Sequence, residues 1–318
     1  MTGLRLRRWW AALALLGLVA GQALAAERVT LRLADQKGGM RSQLEAAGAL
    51  DGLGYDIQWF EFPAAAPLGE ALNAGAVDAG IIGDAPLLFV LAAGARVKAI
   101  AVDKSDPWGT AVLVPQGSPL QSAADLKGKR IATGRGSIGH YIALKALASV
   151  GLNDKDVQFR FLGPVDAKVA LANGSVDAWA TWEPYTTLAE QVDKARVLVN
   201  GRGLSAGNTF LAATDDALAD PARRAALQDY LQRLARSQVW AYEHLGEYSQ
   251  VLAKLIGFPE PVARLQFERR KLQWQGLDEA TARDQQSTAD FYHSSGLIPQ
   301  KLDVAPTFDN SFTLQAAP

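Results

Sequence analysis

From residue 29 to 34 apolar and polar side chains alternate, the spacing of a half-buried strand, and the alternation stops at Lys37-Gly38-Gly39. Apolar positions over 40–50 then follow a helical period, and 56–62 returns to a strand pattern. A short helix over 67–73 is ended by Gly75, and the apolar run 77–82 reads as a short buried strand that stops at Gly83-Asp84-Ala85-Pro86. The same succession begins again at Lys129. A strand over 129–133 meets the tight turn Gly134-Arg135-Gly136-Ser137, followed by a helix over 138–150, a strand over 157–162 and a helix over 166–173. Gly174 ends that helix, and the run 176–181 stops at Trp182-Glu183-Pro184.

The repetition is visible letter by letter. Gly75-Ala76-Val77-Asp78-Ala79 returns 99 positions later as Gly174-Ser175-Val176-Asp177-Ala178, and Ala34 with Lys37-Gly38-Gly39 returns 98 positions later as Ala132 with Arg135-Gly136-Ser137. One Gly-x-Val-Asp-Ala turn is ordinary helix-end chemistry, with glycine where a left-handed backbone is needed. That local chemistry does not explain the shared order of five elements. Each unit reads as a β-α-β-α-β lobe whose loops at the carboxyl ends of the strands face a ligand. The expected class is therefore α/β, with two lobes and a cleft between them. Between the units, 110–114 is expected to cross as a strand, followed by Gly117-Ser118-Pro119 and a short helix with Ser122 at its N-cap, Asp125 completing a capping box and Gly128 ending it. The chain is expected to return near 204–212, which puts 26–110 and 206–318 in lobe I and 111–205 in lobe II. Beyond Pro221 the pattern is helical, with Leu227, Tyr230, Leu231 and Leu234 on one face and a further helix over 278–294; these read as packing for the first lobe.

Composition narrows the function. The chain has 318 residues, 49% of them apolar and 20% charged, a balance that buries a large core and excludes disorder. Arg5, Arg7 and Arg8 precede an apolar run over 9–20, and Ala23-Leu24-Ala25 supplies the small residues a signal peptidase reads, so residues 1–25 are expected to be a cleaved export signal. Without that leader 29 basic residues face 33 acidic ones, a surface with no general attraction for nucleic acid or anionic membrane. Cysteine is absent, which excludes disulfides, cysteine-based zinc sites, thiol nucleophiles and lipid attachment to a cysteine. A freely diffusing, monomeric periplasmic protein is the expectation.

Gly134-Arg135-Gly136-Ser137-Ile138-Gly139 spells the G-x-G-x-x-G of dinucleotide sites. Such a site also needs an acid after the second strand to hold the ribose, and Leu162-Gly163-Pro164 stands there. What remains is the physics of a glycine turn feeding a helix: unpaired N–H groups and a positive dipole end that suit an anion. Ser137 adds a hydroxyl, and His140 and Tyr141 lie in the first turn. Asp84 and Glu183 occupy matching places after the repeated strands. A catalyst would use paired carboxylates for acid and base work, but both sit where helices start, Asp84 as an N-cap and Glu183 before Pro184, with their charges turned to backbone or solvent. Trp108, Trp182 and Tyr185 are placed to wall an apolar ligand tail. His140, His244 and His293 are too scattered for a metal set, and no cofactor, metal or catalytic triad is expected.

With the repeat, Asp35-Gln36-Lys37-Gly38, Gly83-Asp84-Ala85-Pro86, the 122–131 segment, 134–141 and Trp182-Glu183-Pro184-Tyr185 in view, the chain resembles periplasmic substrate-binding proteins of ABC importers, nearest to the aliphatic-sulfonate binders within the nitrate, sulfonate and taurine group. The resemblance implies a type II periplasmic-binding-protein fold, with two α/β lobes joined by two crossings around a ligand. It implies a small organic anion as ligand, an alkyl or aryl sulfonate first, with taurine, nitrate or a pyrimidine precursor as alternatives, and an ABC permease as partner. Residue by residue it implies binding loops at Gln36 and Lys37, at Asp84, at Trp108, Gly109 and Thr110, at Gly136, Ser137 and His140, at Trp182 and Glu183, and at Asn208 and Thr209. The same fold also hosts a sulfinate desulfinase, whose chemistry uses a cysteine that this chain lacks.

Overall fold

The structure, a computed structural model, describes residues 28–314, so the leader expected over 1–25 lies outside the described residues. The first unit runs β1 (Thr30–Gln36), α1 (Met40–Ala46), β2 (Asp56–Phe62), α2 (Ala65–Asn73), β3 (Ala79–Gly83), α3 (Asp84–Ala92) and β4 (Val97–Lys104). The second runs β5 (Ala111–Val114), β6 (Arg130–Thr133), α4 (Ile138–Ala148), β7 (Gln158–Phe161), α5 (Pro164–Ala172), β8 (Ala178–Thr181), α6 (Tyr185–Gln191) and β9 (Arg196–Asn200). The chain then returns through β10 (Asn208–Thr214) into α7 (Asp215–Ala219), α8 (Pro221–Glu243), α9 (Leu245–Ile256), α10 (Glu260–Arg270), β11 (Gln273–Gln275) and α11 (Glu279–Ser294). Strands β4, β9 and β11 carry no pattern that the sequence reading singled out.

Two sheets result, with strand orders β11-β4-β10-β3-β1-β2 and β7-β6-β8-β5-β9. In the first, β1 is parallel to β2 and β3, while β10 runs antiparallel to β3 and β4. In the second, β6 is parallel to β7 and β8, while β5 runs antiparallel to β8 and β9. The reversed strand in each lobe is the one laid down just after the chain crosses over, so each crossing ends inside a sheet and fixes the cleft edge of its lobe.

The repeat has a common fastener. In lobe I the Asp78 carboxylate accepts from the Arg32 backbone N–H (2.8 Å) and from its guanidinium Nη2 (2.6 Å), and in lobe II Asp177 does the same for Arg130 at 2.8 and 2.7 Å. Each clamp ties the last of the three repeated strands to the first, the reason the Val-Asp-Ala text occurs twice. The bidentate geometry makes these stronger than ordinary surface pairs.

The face of α8 that carries Leu227, Tyr230, Leu231 and Leu234 is fully buried against Leu31 and Leu33 of β1 and Met40 and Leu44 of α1. Each such leucine contributes about 1.5–3 kcal/mol through burial. Helix α11 is placed differently. Its Ala289 and Tyr292 share one cluster with Ala85 and Leu88 of α3 and with Tyr141 and Ile142 of α4, so this helix bridges the two lobes and does not serve the first alone.

Candidate functional site

A cavity of about 190 Å³ opens between the lobes. Of the residues singled out from sequence, Gln36, Lys37, Asp84, Gly109, Thr110, Ser137, Trp182, Glu183, Tyr185, Asn208 and Thr209 line it; Trp108, Gly136 and His140 do not.

The start of α4 explains the last two exceptions. Gly136 adopts φ +70°, a conformation glycine takes without strain, and the turn swings the chain into the helix. The Gly136 N–H then points at His140 Nδ1, 3.3 Å away, and the imidazole packs edge-on against Phe159 and Phe161. Burial pushes the His140 pKa down to about 4, so the ring is neutral and serves as an internal acceptor. Gly136 and His140 satisfy each other and are spent on the turn. Ser137 is the N-cap: its Oγ accepts from the His140 N–H at 3.2 Å. The Ile138 and Gly139 N–H groups have no partner among the described residues. Gly139 is required by contact, because a Cβ there would lie 2.5 Å from the Ala180 carbonyl oxygen, and this lets α4 press onto β8. The third glycine of the nucleotide-like motif thus does helix–sheet packing, and the helix start keeps two unpaired N–H groups beside Ser137, that of the cavity-lining Ile138 and that of the buried Gly139.

The matching start in lobe I is closed. Asp35 stands where lobe II has Thr133, and its carboxylate accepts from the N–H groups of Gln36 (2.8 Å), Met40 (3.1 Å) and Arg41 (2.8 Å). Burial pushes the Asp35 pKa up to about 6, partly offset by these three bonds.

The two carboxylates after the repeated strands also part company. Gly83 is the N-cap of α3 and Asp84 its first residue, one place later than expected, with Oδ1 accepting from the Ala85 N–H at 2.7 Å. Asp84 is buried with no cation of the described residues in ion-pair range, and burial pushes its pKa up to about 7. Glu183 accepts from the Thr187 N–H and Oγ1, both at 3.0 Å, and pairs with Arg269 of α10. Its charge faces the protein, towards the Arg269 side chain as well as the Thr187 backbone expected of a helix start, and Pro184, not Glu183, is the N-cap of α6.

Trp108 belongs to a short 3-10 turn, Pro107–Gly109, capped by Asp106. Asp106 also pairs with Arg202, whose guanidinium lies 5.3 Å from the Trp108 ring, and Trp108 is not among the residues lining the cavity. The aromatic wall is built elsewhere. Trp182 and Tyr185 meet edge to face at 6.2 Å, and Tyr185 meets Phe258 at 6.0 Å. Phe258, Phe267, Leu272 and Trp274, from the segment read as packing, line the cavity with Leu252 and Ile256. The sequence reading missed Phe267, Leu252 and Ile256 because a helical apolar face looks the same whether it meets core or cavity, and Phe258, Leu272 and Trp274 because apolar residues in the loops and short strand around α10 carry no periodic signal at all. It also missed Arg270 and the buried, cavity-lining Gln43. Asn208 is a lining residue at 4% exposure whose amide Oδ1 and Nδ2 are both buried without a partner. Unpaired buried amides are costly and mark places where a ligand completes the bonding.

The sequence model of the ABC transporter, phosphonate, periplasmic substrate-binding protein family matches residues 50–260. A relative from Escherichia coli strain K12, named as an aliphatic sulfonates-binding protein, is 36% identical over 92% of this chain and 93% of its own. The alkanesulfonate-binding protein SsuA of Xanthomonas axonopodis pv. citri, solved bound to MOPS, superposes with a TM-score of 0.84 at 34% identity, covering 90% of this chain and 99% of that one. A desulfurization enzyme shares the fold at 18% identity and a TM-score of 0.63, covering 90% of this chain and 97% of its own. With two lobes, two crossings and a cavity lined from both sides, the chain belongs to the periplasmic substrate-binding proteins of ABC transporters.

Proposed function

We propose that this protein is the receptor of an importer for organic sulfonates: it captures an alkyl or aryl sulfonate in the cleft and hands it to an inner-membrane permease, working as a monomer. The observation that carries this reading is the open start of α4, where Ser137 and the unpaired Ile138 and Gly139 N–H groups meet a positive dipole end with no carboxylate of the chain on them. A sulfonate is a permanent monoanion with three acceptor oxygens, and three donors at a helix start answer it. Lys37 at the cleft rim and the Asn208 amide add donors, with Gln36, Gly109, Thr110 and Thr209 around them; Trp182 and Tyr185 take the organic tail. The relatives named for sulfonates support the ligand class.

No bond is made or broken in this reading. The chain has no cysteine to act as a thiol nucleophile, and Glu183 is tied up by Arg269 and Thr187. Residues 26–110 with 206–318 form the lobe that opens the chain and 111–205 the other, after removal of the leader at residues 1–25 during export.

Asp84 favours a second reading, a taurine-like aminosulfonate. It lines the cavity as a buried carboxyl without a cationic partner among the described residues, and an ammonium would supply one. A thermal-shift screen of alkanesulfonates, taurine, alkylphosphonates, nitrate and sulfate separates these readings, because a ligand of the native state raises the melting temperature. Alkanesulfonates are expected to give the largest shift. A larger shift with taurine moves the assignment to aminosulfonates, and no shift with any sulfonate overturns it.

A further inference from the structure

Helix α10 ends in two adjacent arginines that leave it towards different partners. Arg269 reaches lobe II, with Nε 2.5 Å from Glu183 Oε1 and Nη1 2.7 Å from Glu190 Oε2. Arg270 turns to the cavity, and its backbone carbonyl accepts from the Asp106 N–H at 2.6 Å, which pins the helix end to the crossing segment. Lys37 and Arg270 are the cations among the lining residues; Lys37 is exposed and Arg270 half-buried. Among the described residues no carboxylate lies within ion-pair distance of Arg270. The nearby carboxyl that feels its charge is Asp103, buried and accepting not from Arg270 but from the Gln238 amide at 3.0 Å.

A half-buried guanidinium at the end of a helix is stabilised by the dipole there, yet its planar fork still lacks acceptors. An oxyanion supplies them in bidentate form. We propose that Arg270 is the charge partner of the ligand's sulfonate, a specificity-determining residue that pairs with the head group from the side of lobe I while the α4 start binds it from lobe II. This inference rests on the sulfonate reading above. It assigns the choice of an anionic over a neutral head group to Arg270, and it couples capture to closure, since the neighbouring Arg269 already joins the same helix end to Glu183 and Glu190.

The test is calorimetric titration of the full mature protein with 1-octanesulfonate, comparing wild type with Arg270→Gln, Arg270→Lys and the double variant Arg270→Gln/Asp103→Asn. The wild type binds, Arg270→Gln weakens binding roughly 30- to 300-fold, Arg270→Lys falls between, and the double variant stays weak. If Arg270→Gln does not fold, a loss in Arg270→Lys of about threefold or more supports the proposal, and a smaller loss overturns it. Wild-type binding that is unchanged in Arg270→Gln, or restored in the double variant, overturns the proposal and leaves the sulfonate reading standing; the second result would make Arg270 a counter-charge for Asp103 alone. A wild type that binds no sulfonate overturns both.

Discussion

Two glycine turns stand 98 residues apart in sequence and at equivalent places in the two sheets, yet one is closed and the other open. In lobe I the turn Lys37-Gly38-Gly39 leads into α1, and Asp35 occupies the amides of Met40 and Arg41. In lobe II the turn Arg135-Gly136-Ser137 leads into α4, Thr133 replaces the aspartate, and the amides of Ile138 and Gly139 stay free. Both helix starts have the same positive end. One satisfies it with the chain's own carboxylate, and the other has no carboxylate of the chain on it, which is where we propose the anion binds. On the proposed reading, the repeated fold becomes a receptor through the omission of one acid.

Making lobe II like lobe I removes this contrast. Thr133→Asp places a carboxylate beside the Ile138 and Gly139 amides, and we expect a loss of alkanesulfonate affinity of about a hundredfold or more, measured by titration, with the folded circular dichroism spectrum kept. Retained affinity would show that the ligand does not use this helix start. Gly139→Ala is expected to destabilise the fold by about 1–3 kcal/mol in denaturant titration, because its Cβ would sit 2.5 Å from the Ala180 carbonyl oxygen, a backbone atom with little room to move. Ser137→Ala removes the cap hydroxyl, with an expected stability cost of about 1 kcal/mol and a roughly tenfold or greater loss of affinity.

The smallest effect is in pH dependence, where the lobes pull in opposite directions. Lobe I buries Asp35, Asp84 and Asp103 with pKa values of about 6, 7 and 6, above the ordinary carboxyl range. A raised carboxyl holds its proton more tightly folded than unfolded, so its stabilisation is complete below about pH 4 and is lost as pH rises through 6 to 7. Lobe II buries His140 with its pKa lowered to about 4, so that group adds stability as pH rises from 4 to about 6.5. Melting temperatures measured from pH 4 to 8 should therefore decline less steeply in Asp84→Asn than in the wild type, and more steeply in His140→Phe. A slope unchanged in both variants would contradict the assignment of the buried groups.

Much of this was legible in the letters. The Gly-x-Val-Asp-Ala text pointed to the repeat, and the structure shows why it persists, since Asp78 and Asp177 clamp Arg32 and Arg130 identically. Ser137 could be placed at a helix start because a glycine turn feeds a helix there, and the structure makes it the N-cap of α4, on the cavity wall. His140 could not be placed, since only the packing of Phe159 and Phe161 turns its ring inward. Trp108 stands outside the cavity lining, and the partner nearest its ring in the structure, Arg202, lies 94 residues away and gives no local signal. The aromatic wall at Phe258, in the loop between α9 and α10, and at Trp274, in β11, and the cation Arg270 at the end of α10 come from a segment whose apolar residues look like core, and only tertiary placement separates core from cavity lining.

Whether the arriving anion sits on the open helix start of lobe II can be read by amide NMR of the mature protein, with ¹⁵N labelling and assigned resonances, titrated with an alkanesulfonate. We expect downfield proton shifts at Ile138 and Gly139 as their N–H groups gain acceptors, with Met40 and Arg41, already held by Asp35, nearly unmoved. Saturating ligand that shifts Met40 and Arg41, or leaves Ile138 and Gly139 in place, would contradict this picture of one closed and one open helix start.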